Sequence, residues 1–153
     1  MDKLTVPQPV LDFLKLREGV KHVVYHDTKQ LPTGGVGHLL TEAEKAAHPV
    51  GSTITDDAVN NWLANDSLAA YTAAFKQAVT LKSSSQDFIR VLTSVNFQLG
   101  TGWNTLYKKT WAHMLAGEWE AAAVEAQNSG WFKQTPVRVK DFQDALRGMI
   151  KKA

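Results

Sequence analysis

Cysteine is missing from all 153 residues, so neither a disulfide framework nor thiolate chemistry is open to this chain. That suits a reducing compartment. Long apolar runs are missing too. A membrane span needs about 18 or more consecutive apolar residues, and none is present, so stable membrane insertion is not expected. The opening Met1-Asp2-Lys3-Leu4-Thr5-Val6-Pro7 lacks the apolar centre of a secretion leader. Nor is there a dense block of Lys and Arg. Seventeen basic against fifteen acidic residues leave a formal net charge of +2, too little for a nucleic-acid footprint. A weakly basic surface does tolerate an acidic polymer. No internal repeat is visible.

What remains is ordinary globular composition, 44% apolar and 21% charged. The length fits one domain, or two small lobes sharing an element, and is enough to fold without staples. Val10 to Arg17 reads as a short helix, with Pro7 and Pro9 ahead of it and Gly19 as a stop just after Glu18. From His22 to Leu40 the character changes. Val23, Val24 and Tyr25 favour strand, Asp27-Thr28-Lys29-Gln30 favours a turn, and Gly34, Gly35 and Gly37 interrupt any helix. Two or three short antiparallel strands are predicted, with Pro32 at an edge or a strand end.

Everything after Thr41 reads as helical. Thr41-Glu42-Ala43-Glu44 has the capping-box pattern. Thr55-Asp56-Asp57 opens a longer helix whose apolar positions are Ala58, Val59, Trp62, Leu63, Leu68, Ala69, Ala73 and Phe75. Lys82-Ser83-Ser84-Ser85 is a polar break that ends in a helix cap. Phe88, Ile89, Leu92, Val95, Phe97 and Leu99 mark a buried helix ending at Gly100. Gly117 separates two further helices, and Thr135-Pro136 gives a cap and a first turn. The last helix presents Val139, Phe142, Leu146 and Ile150 on one face. The expected fold class is α+β: one domain over 1–153, with a small lobe (10–54) carrying a short antiparallel sheet, a connecting helix (55–80) and a helical lobe (81–153).

The chemistry concentrates in one segment. Arg17-Glu18-Gly19, Tyr25-His26-Asp27-Thr28 and Thr33-Gly34-Gly35-Val36-Gly37-His38 follow in order. Eight residues separate Glu18 from Asp27, and five separate Asp27 from Thr33. Breaking a sugar–sugar bond takes one protonated carboxyl, which donates to the leaving oxygen, and one ionised carboxylate, which activates water or offsets charge. Two acids fill both roles only in unlike surroundings. Val20 and Val24 near Glu18 predict a desolvated setting for it, and the polar turn predicts a solvated one for Asp27. Thr33 supplies a hydroxyl to hold the water. Spacing alone does not single out this reading, because most carboxylates are simply solvated and Thr is an ordinary strand former.

Other chemistries fit less well. His22, His26, His38 and Asp27 lack the spacing of a metal site, so no metal is predicted. The three glycines are not followed by the Lys-Ser/Thr of a phosphate cradle and serve the backbone instead. Of the five Trp, three Tyr and six Phe, helical spacing assigns Trp62, Phe88, Trp111 and Phe142 to the core.

The run Leu16-Arg17-Glu18-Gly19, Tyr25-His26-Asp27-Thr28 and Thr33 through Leu40 resembles the T-even-type phage lysozymes, glycoside hydrolase family 24. The resemblance extends through Ile54-Thr55-Asp56-Asp57-Ala58 and Asn65-Asp66 to Phe97-Gln98-Leu99-Gly100. It ends in Trp131-Phe132-Lys133-Gln134-Thr135-Pro136-Val137-Arg138 and so covers nearly the whole chain in order. It implies a lysozyme-like fold and hydrolysis of the β-1,4 bond between N-acetylmuramic acid and N-acetylglucosamine in peptidoglycan. By the same resemblance Glu18 is the general acid, Asp27 the partner carboxylate, and Thr33 the residue that places a water for inverting attack.

The resemblance also implies glycan contacts at Leu39, Phe97, Gln98 and Thr110, and Arg138 for the carboxylates of the peptide stem, where a planar fork suits. His38 and Asp66 are expected as a structural pair. The chain departs from the family pattern at Pro32 and Gly34, which imply a softer strand around Thr33, and at Glu125, which puts a third acid near the glycan. A monomer without metal or cofactor is expected. It would build up in a host cytoplasm, need a separate holin for access, and then act on the periplasmic wall. Two alternatives are a lytic transglycosylase, against which the second acid and Thr33 argue, and a non-catalytic wall-binding or virion structural module, since fold alone does not secure activity.

Overall fold

The computed structural model describes residues 4–150; residues 1–3, part of the segment read for a leader, and the basic tail Lys151-Lys152 lie outside them. Helix α1 (Gln8–Glu18) starts two residues earlier than its apolar pattern, because Pro9 is tolerated in a first turn whose N–H groups have no helical partner. It ends at Gly19, whose N–H donates to the Lys15 carbonyl at 2.9 Å and whose φ of +80° turns the following chain out of the helix. Val10, Leu11 and Leu14 form the buried face.

Three strands follow, β1 (Lys21–His26), β2 (Pro32–Gly35) and β3 (His38–Leu39), antiparallel and in that order. Pro32 is the first residue of the central strand, opposite His26, the strand-end position a residue without an N–H requires. The far edge of β1 is taken by a segment that carries no strand signal. Thr53 bridges Val23, the Val24 N–H donates to the Ser52 carbonyl at 3.0 Å, and the Ile54 N–H donates to the His22 carbonyl at 2.7 Å.

The softer strand expected at Gly34 does not form. A Cβ on Gly34 would lie 2.3 Å from Ile54 Cδ1 and 3.6 Å from the Trp62 ring. The buried Ile54 side chain occupies the space that a side chain at 34 would fill, so the strand is packed rather than loose.

Helix α2 (Glu42–Ala47) carries the predicted capping box: Thr41 Oγ1 accepts from the Glu44 N–H, and Glu44 accepts from the Thr41 N–H. Helix α3 (Asp56–Thr80) runs for 25 residues and is opened by Thr55, whose Oγ1 accepts from the Ala58 N–H at 3.1 Å. Its buried stripe is Val59, Trp62, Leu63, Ser67, Ala70, Tyr71, Ala74 and Ala78, a helical progression. Leu68 and Ala69, read as part of the apolar pattern, fall off that stripe and are exposed.

The chain forms two compact units, residues 1–68 and 69–153, divided within α3. The second contains α4 (Gln86–Leu99), α5 (Trp103–Leu106), α6 (Lys108–Leu115), α7 (Trp119–Gln127), α8 (Gly130–Gln134) and α9 (Pro136–Arg147). Ser85 caps α4 by accepting from the Phe88 N–H, and Gly100 closes it at φ +93°. Helix α9 packs on α4, α7 and α8. It buries Val139, Phe142 and Leu146, with the Phe142 ring between Trp103 (5.7 Å) and Trp131 (5.6 Å). Ile150, expected on the same face, lies beyond the end of α9 and is 48% exposed. Trp111 is half-buried, edge-on to Trp103 at 5.9 Å, rather than within the core.

Two buried amides inside this unit satisfy one another, as burial favours. Gln77 and Asn96 exchange amide bonds at 3.1 and 2.8 Å, and the Asn96 amide also donates to the Leu92 carbonyl at 2.8 Å.

Candidate functional site

Glu18 closes α1, with Lys15 and Arg17 in the same last turn. Its side chain is exposed, so the apolar neighbours Val20 and Val24 do not enclose it. Val24 is buried in the core, and Val20, which precedes β1, is only half-covered.

Asp27 follows β1 directly and is half-buried. It organises the hairpin turn. The Gln30 N–H donates to the Asp27 carbonyl at 2.9 Å, which closes a four-residue turn. Asp27 Oδ1 accepts from the Lys29 N–H at 2.8 Å and from the Leu31 N–H at 2.9 Å. Gln30 sits at φ +63°, in the left-handed region. The carboxylate is thereby fixed through one oxygen by two main-chain donors.

Thr33 stands in the central strand opposite Tyr25 on one side and Leu39 on the other, and is only 3% exposed. Its hydroxyl donates to the Leu31 carbonyl at 2.9 Å. That same carbonyl accepts from the Asp27 N–H at 3.0 Å. One residue, Leu31, therefore links both functional groups through its own main chain: its N–H holds the Asp27 carboxylate, and its C=O holds the Thr33 hydroxyl. Leu39 is 53% exposed on β3 beside Thr33.

Below the sheet, His38 meets two carboxylates rather than the single one expected. Nδ1–H donates to Asp66 Oδ2 at 2.6 Å and Nε2–H to Glu44 Oε1 at 2.8 Å, an arrangement that calls for the imidazolium. Burial works against the charged ring, but the hydrogen bonds and charges of Glu44 and Asp66 outweigh it and hold His38 above its usual 6.5. Glu44 is likewise opposed by burial, yet the Thr41 N–H and His38 hold it below 4.5. The His38 ring stacks on Trp62 at 4.6 Å, and His48 meets the same indole edge-on at 5.4 Å. Asp66 is the predicted partner. Glu44 was already marked as a capping-box residue, and that pattern was the available signal for its position.

Of the residues tied to the glycan by resemblance, Phe97 and Gln98 lie half-buried at the end of α4. The Gln98 amide is engaged at both ends: it donates to Thr135 Oγ1 at 3.1 Å and accepts from the Trp131 indole N–H at 2.9 Å. Thr135 accordingly makes no side-chain cap on α9; its hydroxyl serves Gln98 and the Trp131 carbonyl. Arg138 is buried, with Nη2 donating to Ser94 Oγ at 2.9 Å. Thr110 is buried and lines a cavity of about 390 Å³ with Tyr107, Lys108, Lys109, Glu125 and Asn128. Glu125, the third acid, thus shares its cavity with two lysines. Leu31, Gln30, Trp131 and Ser94 were not anticipated. Leu31 and Gln30 act through main-chain atoms, which residue type does not advertise. Among the described residues no three His, Asp or Glu side chains converge as metal ligands would, and no helix is long and apolar enough to cross a membrane.

Comparison with known proteins agrees with this architecture. Residues 15–151 match the family described as Phage lysozyme. The chain is 30% identical over 149 residues to "Probable T4-type lysozyme 1" of Dictyostelium discoideum, covering 84% of this chain and 88% of that protein. It is 29% identical over 108 residues to "Peptidoglycan hydrolase gp36" of Pseudomonas phage phiKMV, covering 71% of this chain and 12% of that one. It is 23% identical over 155 residues to "Pre-baseplate central spike protein Gp5" of Enterobacteria phage T4, covering 83% of this chain and 25% of that one. With the family match spanning most of the sequence and both acids and the threonine lying inside it, the chain belongs to the phage lysozyme family of glycoside hydrolases.

Proposed function

We propose that this chain hydrolyses the β-1,4 bond between N-acetylmuramic acid and N-acetylglucosamine in peptidoglycan, with inversion at the anomeric carbon. Glu18 donates its proton to the leaving oxygen, Asp27 is the partner carboxylate, and Thr33 orients the attacking water. The supporting observation is the Leu31 link. Because the Thr33 hydroxyl commits its proton to the Leu31 carbonyl, it offers water only a lone pair. A water that donates to both Thr33 and Asp27 turns its own lone pair outward, as a nucleophile must.

In this reading the glycan runs over Leu39, Phe97, Gln98 and Thr110, Arg138 receives the stem carboxylates, and His38 with Asp66 is structural. The exposure of Leu39 next to Thr33 supports the first of these contacts. The protein works as a monomer, builds up in a host cytoplasm, and reaches the periplasm and wall when a separate holin opens the membrane; the family resemblance supports this part.

A turbidity assay on outer-membrane-stripped bacteria tests the reading. Wild type clears the suspension. Glu18→Gln slows clearing by at least ~100-fold, the scale of a lost general acid, with the melting temperature nearly unchanged. Equal clearing by the variant removes the proposal. Wild type that binds wall without clearing it makes the chain a binding or virion structural module. Mass spectrometry of the products separates hydrolysis from transglycosylation, since only the latter leaves a 1,6-anhydro end.

A further inference from the structure

The turn between β1 and β2 contains a conformation that its sequence does not favour. In the four-residue turn closed by the Gln30 N–H on the Asp27 carbonyl, the last position is left-handed. Hairpins built this way usually place glycine there, because a side chain at positive φ crowds its own backbone. This chain has Gln30, at φ +63°. The left-handed residue is what redirects the main chain, so that the next N–H, that of Leu31, turns back onto Asp27 Oδ1 at 2.9 Å. The same step sends the Leu31 carbonyl to the Asp27 N–H and to the Thr33 hydroxyl, at 3.0 and 2.9 Å.

If residue 30 relaxed to an ordinary β or right-handed conformation, the Leu31 peptide would rotate. The carboxylate would lose one of its two main-chain donors, and the hydroxyl would lose its acceptor. Non-glycine residues persist in this region only where the surroundings over-determine them. Here the five hydrogen bonds converging on Asp27 and Leu31 do so.

We infer that Gln30 is a positioning residue for catalysis, acting through its left-handed backbone and the Leu31 peptide to hold the Asp27 carboxylate and the Thr33 hydroxyl as one rigid pair. This rests on the roles proposed above for Asp27 and Thr33. The Gln30 side chain takes no part in the device. Its contribution is a backbone dihedral, so replacements sort by their tolerance of positive φ and not by polarity or size. Glycine adopts it freely, asparagine adopts it readily, and β-branched residues resist it.

The test is a series at position 30, assayed on soluble uncross-linked peptidoglycan strands so that kcat and KM separate. Gln30→Gly and Gln30→Asn keep kcat within about twofold of wild type. Gln30→Val lowers kcat at least tenfold while KM stays within about twofold, because substrate contacts are untouched and only the reacting groups move. Gln30→Thr, smaller and polar, behaves like Val and stands in for it if the Val chain does not fold. Full kcat in both folded β-branched variants would overturn the proposal. So would a loss in Gln30→Gly as large as that in Gln30→Val, since the side chain would then be the active part. Wild type and Glu18→Gln run alongside: if neither degrades the strands, the muramidase reading has failed, and if wild type is active and the series is flat, only the inference about Gln30 has.

Discussion

At the scale of single residues, Gly34 shows how a departure from a family pattern is absorbed. With Ile54 Cδ1 2.3 Å from where its Cβ would sit, Gly34→Ala over-packs a buried contact and is expected to lower stability by about 1–3 kcal/mol. Ile54→Val deletes the offending methyl, so the double variant recovers much of that loss. Denaturant midpoints of the two single variants and the double variant measure the coupling; simple additivity would mean the two side chains never meet. Residue type marked Glu18, Asp27 and Thr33 as candidates, but their spacing did not single them out, and the roles proposed for them come from the family resemblance. Their anchorage was not legible in the sequence. Leu31 and Gln30 contribute amide groups and a dihedral that any residue carries. Glu18 is exposed despite the nearby valines, since neighbours in sequence do not fix which side chains enclose it in the fold.

At the scale of elements, the His38 cluster ties β3 to α2 and α3 through Glu44 and Asp66, and it makes that tie dependent on pH. A histidine held above 6.5 in the fold stabilises fully below 6.5, and the contribution is lost as pH rises through its higher folded value. Glu44, held below 4.5, stabilises above 4.5 and loses its contribution as pH falls through its lower folded value. Both terms are complete only in the window from 4.5 to 6.5. The melting temperature of wild type minus that of His38→Gln is therefore expected to peak near pH ~5.5 and to shrink toward pH ~9 and pH ~3. A difference that is flat across this range would show that the ring is held by packing on Trp62 alone. Thr41→Ala removes the cap of α2 and is expected to cost about 1 kcal/mol. It also takes away part of what fixes Glu44, so His38→Gln and Thr41→Ala together should cost less than their sum. The capping box could be read directly from its four residues, and so could the start of α3 at Thr55. The edge made by Ser52 to Ile54 could not, because it pairs through main chain and carries no alternation.

At the scale of the whole molecule, residues 1–68 and 69–153 form separate compact units, yet α3 crosses the division without a break. That is why no composition change marks the boundary: the buried helical stripe simply continues through Ser67, Ala70 and Tyr71. Because α3 is shared, melting either unit strips partners from half of that helix, so the two units are expected to unfold together. Trp62 is the single tryptophan in the first unit, and Trp103, Trp111, Trp119 and Trp131 are all in the second. In Trp62→Phe, fluorescence therefore reports only the second unit, while far-ultraviolet circular dichroism reports both. Coincident urea transitions are expected. A dichroism change that precedes the fluorescence change would show that the first unit opens independently.

The Leu31 peptide has a consequence for what the gene can tolerate. Side chains at position 31 are free to drift, since neither its amide nor its carbonyl depends on them. Length between Asp27 and Thr33 is not free. Inserting or deleting a single codon there is expected to shift β2 by one residue, turning Thr33 to the opposite face of the sheet and parting it from Asp27. The five-residue interval is thus expected to tolerate substitution better than a change in length.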